Sequence, residues 1–281
     1  MKPSLTDTEQ LQLRVLLDNG IKIPPQPSIL TEIERLLGQP QVHMGNVAAL
    51  VAKDAGLAAM VFKIISSPVY GVRKPAESLE KAISVIGLKQ LANIIKCAAL
   101  RTALGDSAHD LKWFWDHSMD VAQLASIIAW KLRTVCNIFP DQAYMAGLFQ
   151  ECGVPILMQR FPDYSRTLHL STSKAWPELA QENLHFKTDH CVTGSLLARY
   201  WHLPDFICQA VRFHHDIPST EHKATTMVAI LQMAVHIHNV YAQNTDFAWE
   251  KNRIPVLEEL GISVEGLKEF EEEVYDSYRG S

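Results

Sequence analysis

Four histidines of this chain stand in settings from which a metal ion could be bound. His117 lies near the start of an amphipathic stretch, His190 lies just inside another, and the adjacent His214 and His215 close a third. Helical proteins build metal sites by directing such side chains from several helices to one point. Together with Glu151 they offer four imidazoles and one carboxylate. The alternative is that each imidazole is solvated or satisfied within the core, which is the default for the remaining histidines.

Glu151 belongs to a polar pair within an otherwise apolar stretch, YMAGLFQECGVPILMQ at 144–159. The pair is Gln150 and Glu151, and small residues such as Gly147 and Gly153 on either side allow close contacts between helices. An unpaired buried carboxylate is costly, so the pair is expected either to be satisfied by partners or to be functional.

Helices must position these side chains, because helical periodicity runs through the chain and strand-like alternation is absent. We therefore predict an all-α protein. Helix starts are indicated by capping residues and helix ends by glycines. The predicted starts are at Ser28, Asn46, Asp54, Ser78 and Asp189, and the predicted ends are at Gly38, Gly87 and Gly105.

Prolines locate several further helices. Pro140 suits the first position of a helix that is predicted to run through Gln150 and Glu151 and to be bent or ended near Pro155. Pro177 is predicted to open a helix over 177–184, and a short helix is expected over 163–170. Acidic helices are predicted over 255–275, where they would cover the core or bind a partner.

Composition excludes some classes of function. The chain has 281 residues, 47% of them hydrophobic, so it can bury one large core or two moderate ones. Its net charge of −5 provides no positive field for nucleic acid or an anionic membrane. The five cysteines are scattered and never in a C-x-x-C spacing, which indicates reduced, buried thiols in a cytoplasmic protein. We see no signal peptide and no apolar run long enough to span a bilayer.

One stretch has the outline of a DNA-binding helix-turn-helix, over 46–65. Its second helix would have to present polar side chains to the bases. The sequence there is LAAMVFKII, with one charge in nine residues. We interpret it as a core helix and expect no binding of nucleic acid.

Several blocks of the sequence occur in a distinctive order. They are IPPQPSILTEIERLL, AALVAKDAGLAAMVFKIISSPVYG, SLEKAISVIGLKQLANIIKCAAL, WDHSMDVAQLASIIA, AGLFQECGVPIL, DHCVTGSLLARYW and LPDFICQAVRFHH. Over residues 20–243 the chain resembles the HDOD family, a degenerate relative of the HD-domain metal-dependent phosphohydrolases of bacterial signalling. The apolar pattern before Asn19 and Gly20 predicts an N-terminal helix at 1–19, and the resemblance implies a helical subdomain at 20–105 that packs on an HD-like helical bundle at 106–243, with the boundary near GDSAHD. Acidic helices would follow at 244–281.

The resemblance also implies roles for particular residues. His117 matches the first metal ligand of active HD enzymes, Gln150 and Glu151 stand where their His-Asp pair belongs, and Asn239 matches a distant Asp. Neutral amides are weak donors to a transition metal, so the first metal site should be empty or weak. The positions of a second metal are matched by Glu151, His190, His214 and His215, which could hold a single divalent ion. All seven residues would line one vestigial pocket.

Two functions are compatible with this resemblance, and a third interpretation is a structural scaffold without a ligand, in which Gln150, Glu151 and the histidines satisfy one another inside a core. The first is a regulatory signal-transduction module, catalytically inactive, that binds a protein partner or a small ligand. The alternative is a metal-dependent phosphohydrolase that acts on a nucleotide or phosphoester through Glu151 and the histidines. Cyclic-dinucleotide hydrolysis is disfavoured, because the Gly-Tyr-Pro segment of HD-GYP enzymes is replaced by DIPSTEHK. No other signalling module is fused to the sequence, so a partner is expected to act in trans.

Overall fold

The structure is a computed structural model that describes residues 7–65, 76–105, 111–170, 176–217, 222–244 and 246–280. Every regular element in these ranges is a helix, which confirms the predicted all-α class. Three interpretations fall wholly or partly outside the described residues: the loop SSPVYG at 66–71, the boundary at 105–110 and the DIPSTEHK segment at 216–223.

The first part of the chain forms short helices around the first long one. They are α1 (Asp7–Asp18), α2 (Ser28–Leu37), α3 (Met44–Ala52), α4 (Ala55–Ile65), α5 (Leu79–Ile86) and α6 (Leu88–Leu104). Within this group α3 packs on α5, and α6 packs on both α2 and α4. Helix α4 is the second helix of the helix-turn-helix outline. It buries Leu57, Val61 and Ile65 and is therefore a core helix, as the sequence predicts.

The second part is a bundle of longer helices with a terminal pair laid against it. Its elements are α7 (Lys112–Lys131), α8 (Pro140–Phe149), α9 (Gly153–Arg160), α10 (Tyr164–Thr167), α11 (Leu179–Phe186), α12 (His190–Tyr200), α13 (Asp205–Phe213), α14 (His222–Ala242), α15 (Phe247–Leu260) and α16 (Leu267–Arg279). Helices α7 and α8 form the most extensive pair, and α14 packs across both. The terminal helices cover the bundle, because α15 packs on α14 and α16 packs on α7.

The two parts are joined by packing and by partly buried hydrogen bonds. Helix α6 packs on α8, and Nδ2 of Asn93 donates to Oδ2 of Asp141 over 2.7 Å. The extended Pro-rich segment is held as well, since Nε1 of Trp201 donates to the carbonyl of Pro24 over 3.1 Å. The division of the chain at residues 19, 105 and 243 stays a prediction.

Several helix starts are set by the capping residues that the sequence predicts. Asp54 accepts a hydrogen bond from the backbone N–H of Leu57 over 3.0 Å, and Ser78 accepts one from Lys81 over 3.2 Å. Asp189 accepts one from Val192 over 2.8 Å, which fixes the first turn of the helix that begins at His190. Gly87 ends α5 with a φ of +84°, a conformation that glycine adopts without steric cost.

The predicted helix through Gln150 and Glu151 is wrong in its end point. Helix α8 stops at Phe149, and Gln150 and Glu151 lie in a turn before α9. A Cβ atom at Gly153 would lie 2.1 Å from the carbonyl oxygen of His190, so the chain meets α12 here in a contact that only glycine allows. Pro155 falls in the first turn of α9, where no backbone donor is needed.

Other boundaries also differ from the predictions. Helix α3 begins two residues before Asn46, and α10 covers only Tyr164–Thr167, because His169 adopts a left-handed φ of +56°. Helix α11 begins after Glu178, whose extended backbone places Pro177 outside the helix. The terminal helices begin at Phe247, so Pro255 lies within α15.

No helix among the described residues is by itself both long and apolar enough to cross a membrane. The sharply bent pairs α3–α4 and α5–α6 pass that test of length and composition only as pairs.

Candidate metal centre

Glu151, His190, His214 and His215 come together where the α8–α9 turn, the start of α12 and the end of α13 meet. Oε2 of Glu151 lies 3.2 Å from Nε2 of His190, and Oε1 lies 3.2 Å from Nε2 of His214. Nε2 of His215 lies 3.0 Å from Nε2 of His190. Glu151, His190 and His214 are buried, and His215 is half-buried.

The partners of the other ring nitrogens decide which atoms of the imidazoles carry hydrogen. Nδ1 of His190 lies 2.6 Å from Oε2 of Glu182, and Nδ1 of His214 lies 2.9 Å from the carbonyl oxygen of Val211. Both partners only accept hydrogen bonds, so Nδ1 is the donor in each ring. A neutral ring then points the lone pair of Nε2 at the Glu151 carboxylate. Such converging acceptors require a cation between them, which is either a proton on the ring or a metal ion.

Glu182 is the residue that orients His190. It is fully buried and accepts hydrogen bonds from the hydroxyl of Tyr164 and from the backbone N–H of His190, which lies 3.2 Å from Oε1. A carboxylate behind a histidine fixes the tautomer and strengthens the imidazole as a metal ligand. Burial and Glu182 both raise the pKa of Tyr164, which keeps this phenol protonated as a donor.

The turn that carries His214 and His215 is held by the two helices that follow it. Nε2 of Gln232, on α14, donates to the carbonyl of His214 over 3.0 Å. Nδ2 of Asn252, on α15, donates to the carbonyl of His215 over 2.9 Å. Helix α14 therefore helps to position His214, and the terminal helix α15 helps to position His215.

The electrostatics of the cluster favour charged side chains despite its burial. Burial would raise the pKa of Glu151, but the facing imidazoles of His190 and His214 outweigh it and hold that pKa well below its ordinary value. Burial would lower the pKa of His214, but Cys191 and Glu151 raise it to about 10. The same kinds of contact raise the pKa of His190 well above its ordinary value. The site is thus one in which an anionic carboxylate faces positive charge.

Cys191 is a member of the cluster that sequence reasoning missed. Its Sγ lies 3.6 Å from Nε2 of His190 and 3.8 Å from Nδ1 of His214. Burial would raise the pKa of this thiol, but the charges of His190 and His214 outweigh it and lower the pKa well below the ordinary value. Candidate ligand atoms of His190, Cys191, His214 and His215 all lie within 4.8 Å of one another. The sequence feature that could have identified Cys191 is its position directly after His190, at the predicted start of a helix.

The residues expected at the first metal position have other surroundings. The ring of His117 packs against Trp176 at 4.4 Å and against His238 at 4.5 Å between centroids. Burial and the neighbouring His238 lower the pKa of His117 to about 3, so its ring is neutral. The side chain of Asn239 is hydrogen-bonded to Asp246.

Gln150 also lacks the features of a metal ligand. It is only 1% exposed, and among the described residues neither of its side-chain polar atoms has a hydrogen-bond partner. Its amide is neutral and a weak donor to a transition metal. The residues at the first metal position therefore do not fit an ion, whereas Glu151 and the three imidazoles near it do. The single pocket that was predicted to hold all seven residues stays a prediction.

Two further histidines have partners that the sequence did not indicate. His236 stacks on Trp249 at 3.9 Å between centroids, and its Nε2 lies 3.0 Å from Oε1 of Glu271. Nε2 of His238 lies 3.7 Å from Oδ2 of Asp120. These contacts join α14 to α7 and to both terminal helices.

Helices that direct imidazoles and a carboxylate to one buried point define a helical protein with a candidate metal centre of the HD-related kind. The chain belongs to the HDOD family, because the model of the HDOD domain matches residues 23–217. Among curated proteins it is similar to an uncharacterised protein of Treponema pallidum (strain Nichols), with 23% identity over 213 residues. That match covers 75% of this chain and 41% of the relative, so the chain spans less than half of the relative's length.

Solved structures show the same fold. An HDOD domain protein of unknown function from Geobacter sulfurreducens is 24% identical, with 97% of each chain covered and a TM-score of 0.68. A protein from Marinobacter aquaeolei VT8, assigned provisionally to signal transduction, is 23% identical with a TM-score of 0.71; 97% of this chain and 64% of that one are covered. A protein from Shewanella amazonensis SB2B, assigned provisionally as a metal-dependent phosphohydrolase, is 18% identical with a TM-score of 0.69; 97% and 100% are covered.

Proposed function

We propose that this chain is a regulatory signal-transduction module of a bacterial cytoplasm, which binds a protein partner or a small ligand and does not catalyse hydrolysis. The observation that carries the proposal is a difference between the two halves of the site, namely the residues matched to the second metal position and those matched to the first. Glu151 faces Nε2 of both His190 and His214 at 3.2 Å, as a single ion would require. In the other half, Gln150 offers an unpartnered amide and Asn239 is bonded to Asp246.

This difference matters because hydrolysis of a phosphoester makes two electrostatic demands. An ion must lower the pKa of the attacking water, and a second charge must stabilise the leaving oxygen. Glu151, His190, His214 and His215 would hold one ion. A second ion would have to be held where Gln150 and Asn239 offer only neutral amides, which are weak donors, and where the ring of His117 packs against Trp176. We therefore expect metal binding to serve the stability or the signalling state of the module.

The alternative is a metal-dependent phosphohydrolase that uses one ion. It is favoured by the carboxylate–imidazole set itself, since Glu182 orients His190 as the outer carboxylates of zinc sites do. The provisional assignment of the similar protein from Shewanella amazonensis SB2B points the same way.

Metal analysis together with a phosphatase screen separates the two functions. The purified chain is loaded with Mn²⁺ or Zn²⁺, dialysed, and assayed for bound metal and for hydrolysis of nucleotides and nitrophenyl phosphates. We expect at most one ion per chain and no turnover above that of Glu151→Ala, with the exposed Glu32→Ala as the matched control. Metal-dependent turnover that Glu151→Ala abolishes and Glu32→Ala preserves would establish the hydrolase instead. Two tightly held ions per chain would also contradict the proposal.

A restoration variant tests the physical reason directly. Gln150→His replaces the neutral amide by an imidazole at the position of the lost ligand. We expect this variant to bind more metal than the wild type when both are titrated under the same conditions. An unchanged stoichiometry in a variant with a normal melting curve would show that Gln150 is not what excludes the first ion.

A further inference from the structure

The side chain of Cys191 has an unusual position among the cysteines of this chain. Sγ of Cys152 lies 3.7 Å from the carbonyl of Gly194, and Sγ of Cys208 lies 3.6 Å from the carbonyl of Leu203. Both contacts are those of ordinary buried thiols. Sγ of Cys191 instead lies 3.6 Å from Nε2 of His190, an atom that already faces Glu151 and His215.

The spacing of these atoms is that of ligands around one ion. In a tetrahedral zinc site with Zn–S near 2.3 Å and Zn–N near 2.0–2.1 Å, a sulfur and a nitrogen ligand lie about 3.5 Å apart and two nitrogens about 3.3 Å apart. Here the Sγ–Nε2 separation of Cys191 and His190 is 3.6 Å, and the Nε2–Nε2 separation of His190 and His215 is 3.0 Å. Both measured separations are close to those expected between two ligands of one zinc ion.

A second observation points to a ligand at the same place. Oε2 of Glu151 is buried and has no hydrogen-bond partner among the described residues, although it lies 3.2 Å from Nε2 of His190. Metal binding requires the neutral form of His190, in which the hydrogen is on Nδ1 and Nε2 has none to give to this oxygen. A metal ion would satisfy the carboxylate oxygen, the imidazole and the sulfur at once.

We propose that Cys191 is a thiolate ligand of the metal ion held by Glu151, His190, His214 and His215, so that the site takes Zn²⁺, Co²⁺ or Fe²⁺ rather than Mg²⁺ or Ca²⁺. This inference rests on the proposed single-ion module and adds the identity of the metal class. Thiolate and imidazole ligands select borderline and soft transition ions, whereas Mg²⁺ and Ca²⁺ prefer oxygen ligands. Binding releases to solvent the protons that the sulfur and the ligating ring nitrogens carry, and no oxidant or reductant is needed.

Cobalt absorption tests the sulfur ligand without any assay of activity. Protein stripped of metal by a chelator is titrated with Co²⁺, and the near-ultraviolet thiolate-to-cobalt charge-transfer band is recorded. We expect the band in the wild type and in Cys97→Ala, a buried cysteine of α6 outside the cluster. We expect Cys191→Ser to lose the band and to bind Zn²⁺ at least about 10–100-fold more weakly, the loss that removal of an outer-sphere partner alone causes.

X-ray absorption of the zinc-loaded wild type supplies a test that depends on no variant. A sulfur neighbour near 2.3 Å from zinc is the expected result. A shell of nitrogen and oxygen neighbours only, with one ion bound per chain, would overturn the sulfur ligand and leave the single-ion module standing. If neither Co²⁺ nor Zn²⁺ binds, both the sulfur ligand and the single-ion module are overturned. Equal affinity of the stripped protein for Mg²⁺ and Zn²⁺ would also contradict the inference.

Discussion

Nδ1 of His190 donates to Oε2 of Glu182 over 2.6 Å, and both side chains are fully buried. This bond turns the other ring nitrogen of His190 towards Glu151, so it decides whether the cluster can hold a cation. Because Glu182 lies on α11 and His190 on α12, the relation depends on how the short turn between these helices folds back.

Replacing Glu182 by glutamine tests the orienting role of this carboxylate. The amide keeps the shape but cannot accept as strongly from Nδ1, and it can turn its own donor towards the ring. We expect the affinity for Zn²⁺ to fall about 10–100-fold, measured by competition with a chromophoric chelator. The exposed Glu32→Gln is the matched control and should bind as the wild type does. Equal affinity in Glu182→Gln would show that the tautomer of His190 is set elsewhere.

Replacing Asn252 by leucine tests whether the terminal helices position the metal ligands. The variant leaves the carbonyl of His215 without its 2.9 Å hydrogen bond, which should cost about 1–3 kcal/mol of unfolding free energy. Metal affinity should fall as well, because the His214–His215 turn loses one of its supports. The measurements are urea unfolding and chelator competition, with the exposed Glu250→Ala of the same helix as control. Loss of stability with unchanged metal affinity would contradict the positioning role.

Gly147 and His117 should differ in what they contribute to stability. A Cβ atom at Gly147 would lie 2.6 Å from Cα of Ala122, so Gly147→Leu must push α8 away from α7. We expect a loss of about 3 kcal/mol or more for this overpacking and a loss of about 1 kcal/mol for His117→Asn, since that ring is neutral. Thermal melts of the two variants measure the difference. The reverse order would indicate that His117 has a structural role beyond its ring contacts.

His236 should make the stability of the chain depend on pH. Burial opposes its charged form, but the facing carboxylates of Asp246 and Glu271 outweigh burial and raise its pKa above the ordinary 6.5. The charged form therefore stabilises the fold fully below about pH 6.5, and this contribution is lost as the pH rises through the raised pKa. The depressed pKa of Asp246 has the opposite sign, and its contribution is lost as the pH falls through that pKa.

The matching experiment compares the wild type with His236→Gln in urea at two pH values. The variant should be less stable at pH 6 and closer to the wild type at pH 9, because only the charged ring gains from its carboxylates. The exposed His185→Gln on α11 provides the control and should show no such change. If the difference in unfolding free energy is the same at both pH values, His236 stabilises the fold through its stacking on Trp249 and not through its charge.

The sequence was sufficient for the features that depend on local chemistry. The caps at Asp54, Ser78 and Asp189 form as predicted, because a short polar side chain before an apolar run satisfies the first backbone donors. The family and the all-α class also follow from the order of the sequence blocks. Nothing in local propensity, however, indicated that α8 stops at Phe149 or that the chain then passes so close to the His190 backbone that only glycine fits at Gly153.

The candidate site was predictable in part for the same reason. Glu151 and the three imidazoles were identified from their types and settings, but Glu182 and Cys191 were not. Glu182 lies eight residues before His190 on another helix, a relation that no helical period expresses. Cys191 was interpreted with the other cysteines as a small buried hydrophobe, and burial alone does not distinguish a ligand from a filler. Only the fold shows which buried sulfur faces the imidazoles.

The hydroxyl of Tyr278, in the final helix, donates to Oδ1 of Asp120 over 2.7 Å. The other oxygen of Asp120 lies 3.7 Å from His238, whose ring rests on His117. A molecule that drew α16 away from α7 would thus strip a carboxylate of its phenol donor and alter the charge beside His117, although it never entered the interior. A displacement of α16 would therefore change the surroundings of His117, the residue that matches the first metal ligand of active HD enzymes.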